Sequence, residues 1–280
     1  MESRGFAGFR VVAFESRMAK EMAALIRRYG GEPLVAPALR EVPLENNTEV
    51  LQFGERLMAG HFEMVILLTG VGTRTMVEIL QSRYQLESIK TALSLTTVVA
   101  RGPKPVAVLR ELGLTPSIMV PEPNTWKDIV RTLDQSGSLI EVRMAVQEYG
   151  ISNQDLLQAL RQRGAHVMRV PVYRWALPED TGPLKNVLQE ILSGNVQMML
   201  VTNAAQLDHV IQLLGQEGKV AQFKEACKKM VVASIGPTAS ERLRHYDLPV
   251  DIEPSHPKMG ILVKEVSERA RTLLDRKVNA

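Results

Sequence analysis

The stretch GAHVMRVP, Gly164 to Pro171, repeats the stretch GGEPLVAP, Gly30 to Pro37, 134 positions later and without a gap. Further stretches recur at this interval or within one position of it. They are RVVAF (10–14) with MAVQE (144–148), VILLTG (65–70) with MMLVTN (198–203), and VVARGP (98–103) with VASIGP (232–237). Self-similarity at a fixed period indicates a repeated structural unit, and a period this long corresponds to a whole domain. The sequence therefore predicts a duplicated domain.

Each copy alternates short apolar runs with amphipathic segments. Residues 11–14 form an apolar run, and 19–29 carry apolar residues at the i, i+3, i+4, i+7 spacing of a helix. Uninterrupted apolar strands that alternate with helices are typical of parallel sheets covered on both faces. We therefore predict an α/β protein with two similar doubly wound parallel-sheet domains. Further strands are expected at 33–36, 64–70, 95–102, 117–120, 141–147, 166–173, 197–203, 230–236 and 247–254, and further helices at 73–80, 105–112, 126–133, 154–162, 205–214, 238–245 and 261–274.

Composition narrows the class of protein. The 280 residues suffice for two domains, and 45% hydrophobic with 23% charged residues is ordinary for a globular protein. The net charge of +3 is spread along the chain, which argues against nucleic acid as the partner but leaves room for a local anion site. Neither a membrane span nor a signal peptide is expected, and the single Cys227 favours a reducing compartment, so the cytoplasm is predicted.

Small and hydroxyl residues follow the predicted strands. In open α/β sheets ligands bind beyond the carboxyl ends of the strands, where free backbone N–H groups at helix starts attract anions. Capping and turn formation explain the same residue types, so each loop alone is weak evidence of binding. The candidate substrate-binding residues are Thr69, Gly70, Arg101, Gly102, Lys104, Gly150, Ser152, Thr202, Asn203, Gly236, Pro237 and Thr238, and Arg74 adds a positive charge.

Other chemistry finds little support in the sequence. No strand is followed by G-x-G-x-x-G or a P-loop, and the five histidines lack metal-ligand spacing, so neither a dinucleotide site nor a metal site is expected. Cys227 fits a small apolar residue on a helix better than a catalytic thiol. Tyr173 places a phenol where the other copy has Leu39. From this difference alone, the Tyr173 side chain fits either a packing role or a functional role.

At these residues the chain resembles the uroporphyrinogen-III synthase family. The resemblance rests on G-x-x-V-x-x-x-P-V-Y ending at Tyr173, on IGPT (235–238), on the strand ends LLTG and LVTN, and on PSHP (254–257). It implies two α/β domains joined by a two-stranded connection. The first domain is expected to be discontinuous (1–40 and 175–280), and the second continuous (41–174).

The resemblance also implies the reaction. Hydroxymethylbilane, a linear tetrapyrrole with eight carboxylates, is cyclised to uroporphyrinogen III with loss of water and inversion of ring D, without metal or organic cofactor. Tyr173 matches the position of the family's most important side chain, and a phenol can act as general acid for the departing hydroxyl. The implied partner is this polyanionic linear tetrapyrrole, with no nucleic acid and no membrane, and a monomer is expected.

Two alternatives remain open at the level of the sequence. The loops ARGPK and VQEYG, with PVYRW, look like those of a subgroup sometimes fused to a DNA-binding domain, which favours a non-catalytic tetrapyrrole-sensing regulator as the second reading. A periplasmic-type small-molecule binding protein also has two α/β lobes, although the expected absence of a signal peptide argues against it.

Overall fold

The structure is a computed structural model that describes residues 5–44, 47–148, 150 and 152–278. Strands and helices alternate along most of this part of the chain. The strands are β1 (Arg10–Ala13), β2 (Glu32–Val35), β3 (Arg40–Pro43), β4 (Met64–Leu67), β5 (Thr97–Ala100), β6 (Ile118–Met119), β7 (Arg143–Glu148), β8 (His166–Pro171), β9 (Tyr173–Ala176), β10 (Met198–Val201) and β11 (Val231–Ser234). The helices are α1 (Ala19–Arg28), α2 (Thr48–Met58), α3 (Gly70–Leu80), α4 (Leu86–Ser94), α5 (Pro103–Glu111), α6 (Trp126–Ser136), α7 (Gln154–Gln162), α8 (Gly182–Leu192), α9 (Ala204–Gln216), α10 (Val220–Lys229), α11 (Pro237–His245) and α12 (Met259–Val278).

The chain divides into two compact units, one of which it enters twice. Unit 1 consists of Met1–Arg40 and Ala176–Ala280, and unit 2 of Glu41–Trp175. Strands β3 and β9, which contain the two crossing points between the units, pair as a two-stranded sheet.

Each unit is built on a parallel sheet. In unit 1 the strand order is β11-β10-β1-β2, and one further parallel bridge joins Ala233 to Ile252. In unit 2 the order is β6-β5-β4-β7-β8. The predicted α/β class with parallel sheets is therefore confirmed. No described helix has the length and apolar character needed to cross a membrane.

The two sheets share one topology when the repeat is taken into account. Strands β6, β5, β4, β7 and β8 correspond to the Ile252 bridge, β11, β10, β1 and β2 in the same spatial order. Because β1 and β2 come from the first copy while β10 and β11 come from the second, each sheet combines strands of both copies.

The sheet register corrects two of the sequence matches by one position. Met64 pairs with Met144, and Met198 pairs with Val11, so Val11 rather than Arg10 is the equivalent of Met144. Strands β4 and β10 begin at Met64 and Met198, which makes Thr69 the equivalent of Asn203 rather than of Thr202. Uninterrupted apolar runs have no internal landmark, so a slip of one residue is invisible to sequence matching.

Both faces of each sheet are covered by helices. Alternate residues of one strand point to opposite faces, and in β1 Val12 contributes to one core cluster of unit 1 while Val11 and Ala13 contribute to the other. Unit 2 likewise has one cluster on each face. This two-sided burial explains why the strands are continuous apolar runs.

Four helices occupy segments for which the sequence pattern predicted no element, namely α2, α4, α8 and α10. In α2 the buried Val50, Phe53 and Leu57 do have helical spacing, but Gly54 interrupts the segment. A Cβ on Gly54 would lie 2.4 Å from Leu80 Cδ2, so the glycine allows close packing with α3. The strand expected at 247–254 is reduced to the bridge at Ile252.

Candidate functional site

In unit 2, the turn from β4 into α3 is fixed by its own side chains. Thr69 is the N-cap of α3, and its Oγ1 accepts a hydrogen bond from the Gly72 N–H at 3.0 Å. The Thr73 hydroxyl donates to the Thr69 carbonyl at 2.7 Å. The Thr69 hydroxyl therefore stabilises the start of the helix.

A buried glutamine, which the sequence analysis did not single out, holds the same turn from the neighbouring strand. Gln147, in β7, is fully buried, and its Oε1 accepts the N–H groups of Leu68 at 3.2 Å and Thr69 at 3.3 Å. Its Nε2 donates to the Glu148 carbonyl at 2.6 Å. These two backbone N–H groups are thus already occupied, although the sequence analysis expected strand-end amides to be free. The available signal was a polar residue ending the apolar run of β7.

Gly72 makes room for this glutamine, and a matched pair of substitutions tests the contact. A Cβ on Gly72 would lie 2.1 Å from Gln147 Nε2, whereas a Cβ on Gly215, in α9, meets nothing within 4 Å. Glycine in a helix is less favourable than alanine by about 1 kcal/mol, so we expect Gly215→Ala to stabilise the protein. Gly72→Ala should instead destabilise it by about 1–3 kcal/mol, since the displaced glutamine leaves buried N–H groups unpaired.

Urea unfolding of both variants measures these free energies. If Gly72→Ala and Gly215→Ala raise the free energy of unfolding by similar amounts, the Gln147 side chain moves aside without loss of stability.

The first turns of α3 and α5 lie against each other. A Cβ on Gly70 would lie 2.8 Å from the Lys104 carbonyl oxygen, so only glycine permits this approach. The N–H groups of Gly70, Val71, Gly102 and Lys104 form no hydrogen bond with the described residues. Oriented N–H groups at two adjacent helix starts form a favourable environment for an anion.

The positive side chains of this edge differ in their surroundings. Lys104 is exposed, and Arg101 is half-buried in the turn that follows β5. Arg74 is exposed and forms an ion pair with Glu111 at 2.5 Å. Lys104, which is exposed and forms no ion pair with the described residues, therefore extends the α3–α5 amide cluster with a positive charge.

At the end of β7 the candidate Ser152 belongs to a network of hydrogen bonds around the buried Glu148. The Ser152 hydroxyl donates to Glu148 Oε1 at 2.5 Å, and Arg169 Nε donates to Glu148 Oε2 at 2.8 Å. Glu148 is only 4% exposed, and the pairing offsets the cost of burying its charge. Tyr149 and Ile151, in the same predicted loop, lie outside the described residues.

Gly150 has a structural role that the sequence did not reveal. Its φ of +61° is left-handed, and a Cβ would lie 2.3 Å from Trp175 Cδ2. Its N–H donates to the Tyr173 carbonyl at 3.2 Å, which ties this loop to the start of β9.

Tyr173, the candidate catalytic residue, is 7% exposed and belongs to one core cluster of unit 2. Its ring lies 6.4 Å from that of Trp175 between centroids, at an interplanar angle of 53°. The equivalent Leu39 is 8% exposed, so both copies bury a large side chain at this position.

In unit 1, the turn from β10 into α9 is also held by a buried glutamine. Gln206 is 2% exposed, and its Oε1 accepts the N–H groups of Thr202 at 3.0 Å and Asn203 at 3.2 Å. The Thr202 hydroxyl donates to Glu15 Oε2 at 2.5 Å, and the Asn203 side chain accepts the Ala205 N–H at 3.0 Å. Both candidate side chains therefore have partners within the unit.

The turn from β11 into α11 keeps more of its backbone donors free. The N–H groups of Gly236, Thr238 and Ala239 form no hydrogen bond with the described residues, and Pro237 has none to offer. Gly236 is buried, whereas Thr238 is exposed. Gly236 has extended backbone, and a Cβ would meet only Pro257 Cβ at 3.3 Å.

The structure brings the candidates together at the carboxyl edge of each sheet, where all strands of that sheet end. Unit 2 contributes Thr69, Gly70, Arg101, Gly102, Lys104, Gly150 and Ser152, and unit 1 contributes Thr202, Asn203, Gly236, Pro237 and Thr238.

Cysteine and metal chemistry have no support among the described residues. Burial raises the pKa of the Cys227 thiol to about 12, which keeps it protonated at neutral pH. Within the described part of the chain no group of three or more His, Cys, Asp or Glu side chains is arranged to hold a metal ion.

Comparisons with known proteins identify a family and a fold. The family model described as Uroporphyrinogen-III synthase HemD matches residues 20–264. A Bacillus subtilis (strain 168) protein named "Uncharacterized protein YjjA" is 24% identical over 272 residues, covering 95% of this chain and 97% of its own. A mutant uroporphyrinogen III synthase from the extremely thermophilic bacterium Thermus thermophilus shares the fold with a TM-score of 0.68 and 22% identity, covering 97% of this chain and 99% of that one. The uroporphyrinogen-III synthetase of Helicobacter pylori 26695 has a TM-score of 0.50 and 13% identity, with 92% and 98% coverage.

Proposed function

The chain belongs to the uroporphyrinogen-III synthase family, and from this premise we propose that it cyclises hydroxymethylbilane to uroporphyrinogen III, with loss of water and inversion of ring D. The observation that carries the proposal is the extent of the family match. Residues 20–264 include every candidate site residue, from Thr69 to Thr238, and Tyr173. The protein is then a cyclising lyase of tetrapyrrole biosynthesis, acting as a monomer in the cytoplasm.

The proposed reaction requires few catalytic side chains. Bond formation between two pyrrole rings with loss of water involves no net redox change, so no redox cofactor is required. In our proposal the Tyr173 hydroxyl gives a proton to the departing hydroxyl, which leaves as water, and binding holds the ring ends in reacting geometry.

The substrate carboxylates are proposed to bind at the α3–α5 amide cluster of unit 2. The N–H groups of Gly70, Val71, Gly102 and Lys104, at two helix starts, form no hydrogen bond with the described residues. Charge-assisted hydrogen bonds of this kind contribute about 1.5–3 kcal/mol each, and Lys104 adds a full positive charge.

A coupled assay tests the activity. Hydroxymethylbilane is supplied, the products are oxidised, and the uroporphyrin isomers are separated. We expect isomer III at a rate far above that of spontaneous closure. Isomer I alone, at the uncatalysed rate, would exclude the synthase, and tetrapyrrole binding without turnover would then support the sensing regulator.

Lys104→Ala tests the anion site. We expect KM to rise about 3- to 10-fold at low ionic strength, which corresponds to about 0.7–1.4 kcal/mol, as for a partly exposed charge pair. The effect should shrink as salt is added, because salt screens exposed charges.

Lys228→Ala is the matched control, since it removes the same charge from the end of α10, just before β11. Equal changes in KM for the two lysine variants, or a Lys104→Ala effect that does not depend on salt, would argue against a local anion site.

A further inference from the structure

Unit 1 contains a groove of about 370 Å³ between helix α1 and strand β2. Pockets that bind ligands have volumes of about 300–1,000 Å³. Four residues of α1 and two of β2 line the groove, namely Ala19, Lys20, Ala23, Arg27, Pro33 and Val35. Four of these are apolar, two are basic, and the described lining contains no acidic side chain. The groove therefore suits a ligand that combines apolar groups with negative charge.

The two basic side chains of the groove are available to a partner. Lys20 and Arg27 are exposed, and neither side chain forms a hydrogen bond or an ion pair with the described residues. At 1.5 Å per residue, their Cα atoms lie about 10 Å apart along the helix. Ala23 lies between them on the same face of α1, since residues three and four apart are neighbours on a helix. Two positive charges therefore flank a small apolar surface.

Strand β2 is an edge of the unit 1 sheet, and part of its backbone faces away from β1. The N–H groups of Glu32 and Ala36 donate to carbonyl groups in and just before β1, at 2.9 and 3.0 Å. Successive residues of a strand direct their backbone groups to opposite sides, so Pro33 and Val35 direct theirs to the open edge. Because proline has no N–H, this edge offers an added strand one donor, on Val35, and two carbonyl acceptors.

The duplicated fold does not require this groove. At the interval of 134 positions, Ala23 corresponds to Leu157 of α7, and the buried Ile26 corresponds to the buried Leu160. Leu157 is 1% exposed and belongs to a core cluster of unit 2. The small side chain of Ala23 is thus specific to unit 1, and the leucine of the other copy is the substitution that should fill the groove.

We propose that this groove binds an extended acidic segment of a partner protein. The segment adds to the open edge of β2 and pairs with the Val35 N–H. Its apolar side chains contact Ala23, and its carboxylates contact Lys20 and Arg27. Backbone pairing with a sheet edge is a recurring mode of peptide recognition, in which alternate side chains supply specificity. Such binding does not require that the protein cyclises hydroxymethylbilane.

The same features disfavour two other occupants. A second copy that paired through β2 would bring the two α1 helices together, and with them Lys20 and Arg27 of both copies, so like charges would repel. A nucleic-acid backbone would neutralise the two cations, but it would leave the apolar lining between them unused. An acidic peptide satisfies the cations, the apolar lining and the strand edge at once.

The probe is a capped peptide, Glu-Val-Val-Val-Glu, whose first, third and fifth side chains share one face of a strand. Titrated into the isotopically labelled full chain and followed by NMR, it should shift the amide resonances of α1 and β2 most. At saturation the Val35 N–H should exchange with deuterated solvent more slowly than in the free protein. Lys-Val-Val-Val-Lys should bind at least about 5-fold more weakly, since its charges repel those of the groove.

The groove variants have matched controls on the same helix. Ala23→Leu should raise the Kd of the acidic peptide at least about 5-fold, because the larger side chain occupies the groove. Ala24→Leu adds the same atoms at an exposed position outside the lining and should leave the Kd unchanged. Lys20→Ala and Arg27→Ala should each raise the Kd about 2- to 5-fold, as for exposed ion pairs. Arg28→Ala, which removes an exposed charge outside the lining, should not. All five variants should keep the wild-type melting temperature.

Several results would overturn the proposal. One is no amide shift at about 1 mM acidic peptide, and another is equal binding of the acidic and basic peptides. Equal effects of Lys20→Ala and Arg28→Ala would show a general attraction to a basic surface. An unchanged exchange rate of the Val35 N–H in the complex would exclude strand addition. Binding of duplex DNA that is lost in Lys20→Ala but kept in Ala23→Leu would assign the cations to nucleic acid instead.

Discussion

Tyr173→Phe is expected to lower the rate of uroporphyrinogen III formation by about 10²- to 10⁴-fold, the usual contribution of a general acid. The substitution removes only the hydroxyl, while the ring stays in the core cluster of unit 2, where Tyr173 is 7% exposed. The melting temperature should therefore change little. Single-turnover measurements with hydroxymethylbilane, read as the yield of isomer III, give the rate.

Tyr84→Phe is the matched control, because Tyr84 packs against the same core cluster and loses the same atom. We expect its rate to equal that of the wild type. Equal and small effects of both substitutions would identify Tyr173 as a packing residue, in line with the aliphatic Leu39 at its equivalent position. A large loss of stability in Tyr173→Phe alone would assign the hydroxyl a structural role instead.

Gly150→Ala is expected to cause a large loss of folding stability. The residue has a φ of +61°, so a side chain there is strained by about 1–2 kcal/mol. In addition, the new Cβ would lie 2.3 Å from Trp175 Cδ2, and overpacking of this kind costs about 1–3 kcal/mol more. The free energy of unfolding, measured in urea, should therefore fall by about 2–5 kcal/mol.

Gly194→Ala isolates the contribution of the tryptophan. Its φ of +74° imposes the same backbone strain, but a Cβ there meets nothing within 4 Å. We expect Gly194→Ala to lose only the strain energy, and the extra loss in Gly150→Ala to disappear when Trp175→Ala is added. Equal losses at both glycines would show that the indole moves aside without cost.

The residues that follow the strands could be found from the sequence, but the hydrogen-bond partners of those residues could not. The ends of apolar runs place Thr69, Thr202 and Ser152 correctly after β4, β10 and β7. The hydroxyls of Thr202 and Ser152, however, are engaged by Glu15 and Glu148. The Thr202–Glu15 pair depends on β10 and β1 being neighbours in the sheet, and the spacing of apolar residues along one segment carries no information about that. The Ser152–Glu148 pair is local, but it depends on the path of the loop after β7.

By itself, the sequence determined the duplication, the α/β class and the order of most strands and helices, because these follow from local periodicity and from a fixed repeat interval. Tertiary structure decided which strands pair, so that β1 lies beside β10 and β4 beside β7. It also decided the hydrogen bonds of the buried glutamines, Gln147 and Gln206, and the hydrogen bond between the buried Ser234 and Ser240 of unit 1. These features join residues that are distant in the chain, such as Leu68 and Gln147 at 79 positions and Val11 and Met198 at 187 positions (198 − 11). Their energy comes from desolvated hydrogen bonds that exist only once the sheets and helices have packed.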